Sequence, residues 1–238
     1  MIFRIFNLVQ QLMPSFFFLF SNEYDEVSSA LFPFTSDFLA FYKQYRKETN
    51  SLPTELSILL PQILNAVITK MQFDESSNWG DENEQSEEAE FLETRRKLKN
   101  LQDMVGAIDV QLLIETLFTI VNNAFDKVSQ GGQGAIGWRE LDLAMYELHV
   151  FGDLAFQNGN LFIKSEAGLV PNGHAAVCLV GMVIKMMNSG MLITFAPSLY
   201  IPGYQLITMH RCDLISPSLN TASVHGKYRA LCQCFRSS

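Results

Sequence analysis

The side chains best suited to chemistry lie between Phe73 and Leu101. Asp74, Glu75, Asp81, Glu82, Glu84, Glu87, Glu88, Glu90 and Glu93 come before any base, and Arg95, Arg96, Lys97 and Lys99 follow at once. Massed carboxylates suit electrostatic contact with a basic partner surface. Charge of one sign speeds association and rejects wrong partners more than it adds affinity. The other reading is a solvated insertion, because blocks of like charge repel. Trp79 inside the run favours a contact, since a lone tryptophan in a charged stretch is costly to expose and commonly anchors a partner. The basic turn can meet an RNA backbone, each neutralised phosphate releasing counterions and making binding salt-dependent. Its other reading is pairing within a helix. Glu93 stands four residues before Lys97 and Phe91 four before Arg95, a spacing that stabilises by about 0.2–0.5 kcal/mol per ion pair.

Other candidates for chemistry fall away. His210, Cys212, His225, Cys232 and Cys234 gather near the C-terminal end, but Cys-x-Cys and His-x-Cys are not the spacings of zinc knuckles or fingers. Gly131-Gly132-Gln133-Gly134 lacks the preceding strand that a nucleotide loop requires. No nucleophile elbow and no His-Glu-x-x-His helix occurs. His149 and His174 sit in helical patterns, as packing or capping residues. Neither catalysis, a metal nor a cofactor is expected.

The elements that position the charged stretch are helical. Ile5, Leu8, Val9, Leu12, Phe16, Leu19 and Phe20 recur at three- and four-residue intervals, the apolar spacing of a helix. A second pattern runs from Val27 to about Lys47, with Pro33 expected to kink or restart it. Lys43, Arg46 and Lys47 are expected in its last turn, where they suit the helix dipole. Thr54 is expected to cap a helix from about Glu55 to Met71, interrupted at Pro61, with Leu56, Leu59, Leu60, Ile63, Leu64, Val67, Ile68 and Met71 on a wide apolar face. Helical character returns near Glu87 with Phe91, Leu92, Leu98, Leu101 and Met104. Asp109 can cap the next helix, which the run of glycines at 131–134 stops. Further helices are expected from Trp138 through Leu154 and from Gly173 to Asn188, with almost no strand. Paired starts near residues 27 and 54, 87 and 110, and 138 and 174 approximate the repeat of paired-helix solenoids. The expected organisation is all-α: HEAT-like antiparallel helix pairs over residues 1–191 forming an α-solenoid, an acidic loop inserted at 74–90, and an irregular tail at 192–238.

The chain of 238 residues carries a net charge of -8, and the acidic stretch accounts for it, so the remainder is close to neutral and offers no broad basic face. The cysteines Cys178, Cys212, Cys232 and Cys234 form no evenly spaced framework, which fits a reducing compartment. The first twenty residues superficially resemble a signal peptide, but Asn7, Gln10, Gln11 and Pro14 interrupt the apolar run. No stretch of 18 uninterrupted apolar residues is present, so membrane insertion is not expected.

Several short motifs follow in order: Glu23-Tyr24-Asp25-Glu26-Val27-Ser28-Ser29, Phe32-Pro33-Phe34, Leu59-Leu60-Pro61, Lys70-Met71-Gln72-Phe73-Asp74-Glu75, Trp79-Gly80-Asp81-Glu82, Glu88-Ala89-Glu90-Phe91, Arg95-Arg96-Lys97-Leu98-Lys99, Trp138-Arg139-Glu140-Leu141-Asp142 and Phe151-Gly152-Asp153-Leu154-Ala155. Together they resemble exportin-T, a tRNA nuclear export receptor family of the importin-β (karyopherin) superfamily. The resemblance covers about residues 8–191. It implies HEAT repeats, binding of tRNA together with Ran-GTP, contact with nuclear pore proteins, and shuttling between nucleus and cytoplasm. It also implies an internal block of a longer receptor, truncated or frame-shifted at its ends. On that reading Asp74, Glu75, Trp79, Asp81, Glu82, Glu84, Glu87, Glu88 and Glu90 are the Ran or protein contacts, and Arg95, Arg96, Lys97 and Lys99 the tRNA contacts. The alternative is a generic helical-repeat scaffold that binds protein through the acidic loop.

Overall fold

Prolines decide where the first helices begin. In the computed structural model, which describes residues 2–22, 25–51, 53–74, 85–131, 135–157, 161–165 and 168–189, the helical pattern after Val27 is divided in two. A five-residue helix, α2 (Asp25–Ser29), follows α1 (Ile2–Phe20), and α3 (Phe32–Thr49) starts afresh with Pro33 in its first turn. There the missing N–H costs nothing, because first-turn N–H groups have no intrahelical partner. Pro61 does not interrupt its helix as the sequence suggests: α4 runs unbroken from Thr54 to Lys70. Tertiary packing on both sides of α4 overrides the local penalty. Nor does Thr54 cap it. The cap position is Pro53, whose carbonyl accepts the N–H groups of Leu56 and Ser57 at 3.0 and 2.9 Å.

The chain divides into two compact units, residues 1–116 and 117–238. In the first, α5 (Gln85–Ile108) packs on α3 and α4, and α1 on α2 and α4. The wide apolar face of α4 is buried from Leu56 to Met71, and α5, which packs on it, buries Leu98, Leu101 and Val105. Aromatic rings continue this core. Phe20, Phe16, Phe34, Phe38 and Tyr42 form a chain of ring contacts with centroids 4.8–5.8 Å apart, each pair contributing about 0.5–1.5 kcal/mol beyond area burial. The Tyr42 hydroxyl donates to the Leu56 carbonyl at 3.3 Å. Asp109 caps α6 (Val110–Gly131) as expected, accepting the Leu112 N–H at 3.1 Å. Gly106 permits the tight corner before it, since a Cβ there would lie 2.6 Å from Leu113 Cδ2.

In the second unit α7 (Trp138–Gln157) buries Leu141, Leu143, Ala144, Met145, Leu148, Val150, Phe151 and Ala155. The helix is buried on most of its sides and takes the carboxylates of Asp142 and Glu147 in with its apolar residues. α8 (His174–Asn188) packs on α7, buries Ala176, Cys178, Leu179, Met182 and Met186, and is tied to α6 by Lys185 Nζ on Asp126 Oδ2 at 2.6 Å. Between α7 and α8 lies a feature the sequence did not suggest, an antiparallel hairpin of β1 (Phe162–Ser165) and β2 (Gly168–Pro171). Phe162 is opposite Pro171 and Ser165 opposite Gly168. Four residues a strand is too short for alternation to register. Gly168 at φ 113° and Gly173 at φ 87° take backbone conformations open to glycine at little cost. Among the described residues the fold is all-α apart from this hairpin.

Candidate partner-binding site at the acidic stretch

The acidic stretch leaves the end of α4 and enters α5, and both flanks are built from residues buried for different reasons. Lys70, in the last turn of α4, donates to the Asn22 carbonyl at 2.7 Å and meets Asp25 Oδ1 at 2.9 Å. This fixes the α4 terminus against the start of α2. Met71 and Phe73 then turn inward, while Asp74 is exposed. Across from them Phe91 of α5 brings its ring centroid within 4.2 Å of Phe73's, at 32°. The stretch therefore departs and returns at neighbouring points.

Arg95 closes this junction from beneath. Its guanidinium carbon lies 5.1 Å from the Phe73 centroid and 5.5 Å from that of Phe91. The residue is 3% exposed. Guanidinium over aromatic faces is attractive, by about 2 kcal/mol or more when desolvated. This corrects the assignment of Arg95 as a tRNA contact: a side chain used up inside the junction cannot present itself to a phosphate. The signal was in the sequence, since Phe91 precedes Arg95 by one helical turn. Phe73, the second ring, is 22 positions away and had no such marker.

The rest of the basic turn divides. Arg96 is exposed and pairs with Glu93 at 3.0 Å, Lys97 is exposed, and half-buried Lys99 holds Asp103 at 2.7 Å. The helix thus answers much of its own charge, through i,i+3 and i,i+4 spacings rather than the expected Glu93–Lys97 pair. The acidic candidates also divide. Asp74 and Glu90 are exposed. Glu87, Glu88 and Glu90 belong to the opening turns of α5, which begins at Gln85, so the loop does not extend to residue 90 as expected. Carboxylates stabilise the positive end of a helix dipole, which is why a run of glutamates begins this helix instead of delaying it. Glu75, Trp79, Asp81, Glu82 and Glu84 lie outside the described residues. So do the tail at 192–238 and, within it, His210, Cys212, His225, Cys232 and Cys234.

Among the described residues no group of histidine, cysteine, aspartate or glutamate side chains could hold a metal ion, and no helix is long and apolar enough to cross a membrane. Cys178 is buried with its sulfur 3.7 Å from His174 Nε2, and burial pushes its thiol pKa up, away from the thiolate that nucleophilic chemistry needs.

Comparison with known proteins places this helical chain with its charged junction in a family. The exportin-T family model matches residues 4–208, so the likeness continues past residue 191. The exportin-T of Podospora anserina is 45% identical over 184 residues, covering 77% of this chain and 17% of its own length. That of Phaeosphaeria nodorum is 41% identical over 188 residues, covering 79% and 18%. The Emericella nidulans protein is 37% identical over 215 residues, covering 90% and 20%. The chain belongs to the exportin-T family, a family of nuclear export receptors. It spans about a fifth of the length of these curated relatives.

Proposed function

We propose that this chain is a HEAT-repeat segment of a receptor that carries tRNA out of the nucleus with Ran-GTP, shuttling between nucleus and cytoplasm through contacts with pore proteins. The observation that carries this reading is membership of the exportin-T family across most of the chain. The paired packing of α3, α4 and α5 and of α7 and α8 supports it, because stacked helices of this kind build the extended surfaces that repeat proteins use for binding. In this reading Asp74, Glu75, Trp79, Asp81, Glu82, Glu84, Glu87, Glu88 and Glu90 face Ran or another basic protein surface. Arg96 and Lys97 are the tRNA contacts of the basic turn, with Lys99 beside them and Arg95 withdrawn into its support.

A filter-binding titration of tRNA against salt, with and without Ran-GTP, tests this on a receptor of the relatives' full length that carries this segment. Cooperative loading predicts that Ran-GTP tightens tRNA binding and that tRNA tightens Ran-GTP binding by the same factor. Absence of tRNA binding in both conditions would sink the reading. Binding of protein partners alone would leave a helical scaffold that works through its acidic stretch.

A further inference from the structure

Six cations among the described residues are already engaged. Lys70, Arg96, Lys99, Lys127 and Lys185 each hold a carboxylate, and Arg95 lies over two rings. Lys43, Arg46 and Lys47 of α3 are exposed and belong to none of these pairs. Their spacing makes them neighbours, Lys43 one turn from both Arg46 and Lys47. Like charges so placed destabilise a helix by about 0.2–0.5 kcal/mol a pair. The exposed carboxylate nearest in sequence, Glu48, is held by Gln44 Nε2 at 2.6 Å.

Helix termination does not explain the trio. The end of α3 is closed by Asn50 in the left-handed conformation at φ 58°, whose N–H reaches the Arg46 carbonyl at 2.8 Å, and by Thr49 Oγ1, which donates to the Tyr45 carbonyl at 2.8 Å. The dipole favours Arg46 and Lys47 in the last turn but fades before Lys43.

We propose that Lys43, Arg46 and Lys47 form a phosphate-backbone contact for an RNA cargo, separate from the basic turn of α5. The proposal rests on the RNA-cargo reading above. Lys43 and Lys47 stand about 6 Å apart along the helix axis, a span comparable to the separation of successive phosphates on one strand, so the two can meet neighbouring charges. Arg46 adds a planar fork suited to bidentate phosphate contact. The exposed residues beside the lysines on this face are Ala40 and Gln44. An acidic protein surface would need a large apolar side chain there to form the dry centre of an interface, and a phosphate backbone needs none.

The test uses the same full-length receptor with Ran-GTP, titrated with tRNA from 50 to 200 mM salt, comparing the parent with the combined Lys43→Gln, Arg46→Gln and Lys47→Gln variant. Glutamine is a good helix former and relieves the like-charge repulsion, so the thermal midpoint does not fall. Three lost phosphate contacts lower the slope of log K against log salt by roughly 2–3, so the same salt rise weakens the variant roughly 20- to 40-fold less than the parent. A Lys43→Arg and Lys47→Arg variant keeps the parental slope. If the parent binds tRNA and the glutamine variant keeps the parental slope, this contact is disproved while the cargo reading stands. If the variant loses Ran-GTP affinity at unchanged tRNA slope, the trio is a protein contact and the proposal is overturned. A parent that binds no tRNA disproves the cargo reading itself, and this contact with it.

Discussion

Lys70 Nζ lies 2.9 Å from Asp25 Oδ1, joining the last turn of α4 to the first turn of α2. The same ammonium donates to the Asn22 carbonyl at 2.7 Å. These bonds differ in weight. The Asp25 side chain is 40% exposed, so the ion pair is screened and contributes less than about 1 kcal/mol. The carbonyl bond to a mostly buried ammonium contributes about 1.5–3 kcal/mol. Asp25→Asn is therefore expected to lower urea stability only slightly and Lys70→Met markedly more. Equal losses in the two variants would show that the carbonyl bond adds little.

Arg95→Ala is expected to destabilise the first unit by at least about 2 kcal/mol, through loss of both ring contacts and of the packed side-chain stem. Urea denaturation measures that loss. At salt and temperature where the variant stays folded, its tRNA affinity is expected to match the parent. Selective loss of RNA binding with unchanged stability would return Arg95 to the binding surface.

Burial pushes the Tyr42 pKa far above its ordinary value of 10.0. The folded state then keeps a proton that the unfolded state releases above about pH 10, so this contribution to stability is complete below that pH and falls as pH rises beyond it. Denaturant midpoints measured from pH 8 to pH 11 should decline at the alkaline end. Tyr42→Phe should flatten the decline while costing about 1 kcal/mol at neutral pH for the lost bond to Leu56.

Asp109→Ala removes the acceptor for the Leu112 N–H at the start of α6. A cost of about 1 kcal/mol is expected by thermal or urea unfolding. Asp109→Asn, which keeps the acceptor, should retain most of it.

The helices were legible because their apolar periodicity is strong: the positions read as the face of α4, Leu56 through Met71, are those buried in the fold. Local punctuation was less dependable. Pro33 restarts a helix while Pro61 is carried through one, and the difference lies in neighbours that sequence spacing does not reveal. The acidic run looked like a loop because charge was taken as a sign of solvation, yet three of its glutamates belong to the opening turns of α5. Arg95 was misplaced for a related reason. Its type marks it as a surface cation, and the rings that draw it inward come from both ends of the acidic stretch.

The meeting of Phe73 and Phe91 also bears on how this region can evolve. With its two ends pinned side by side by rings and a buried guanidinium, the length of chain between them is thermodynamically cheap to change. Loop-closure entropy grows so slowly that doubling the number of intervening residues costs only about 0.6 kcal/mol. A change of length between Asp74 and Gln85 is therefore expected to leave α4 and α5 in register. Drift at the junction residues themselves should be far less tolerated.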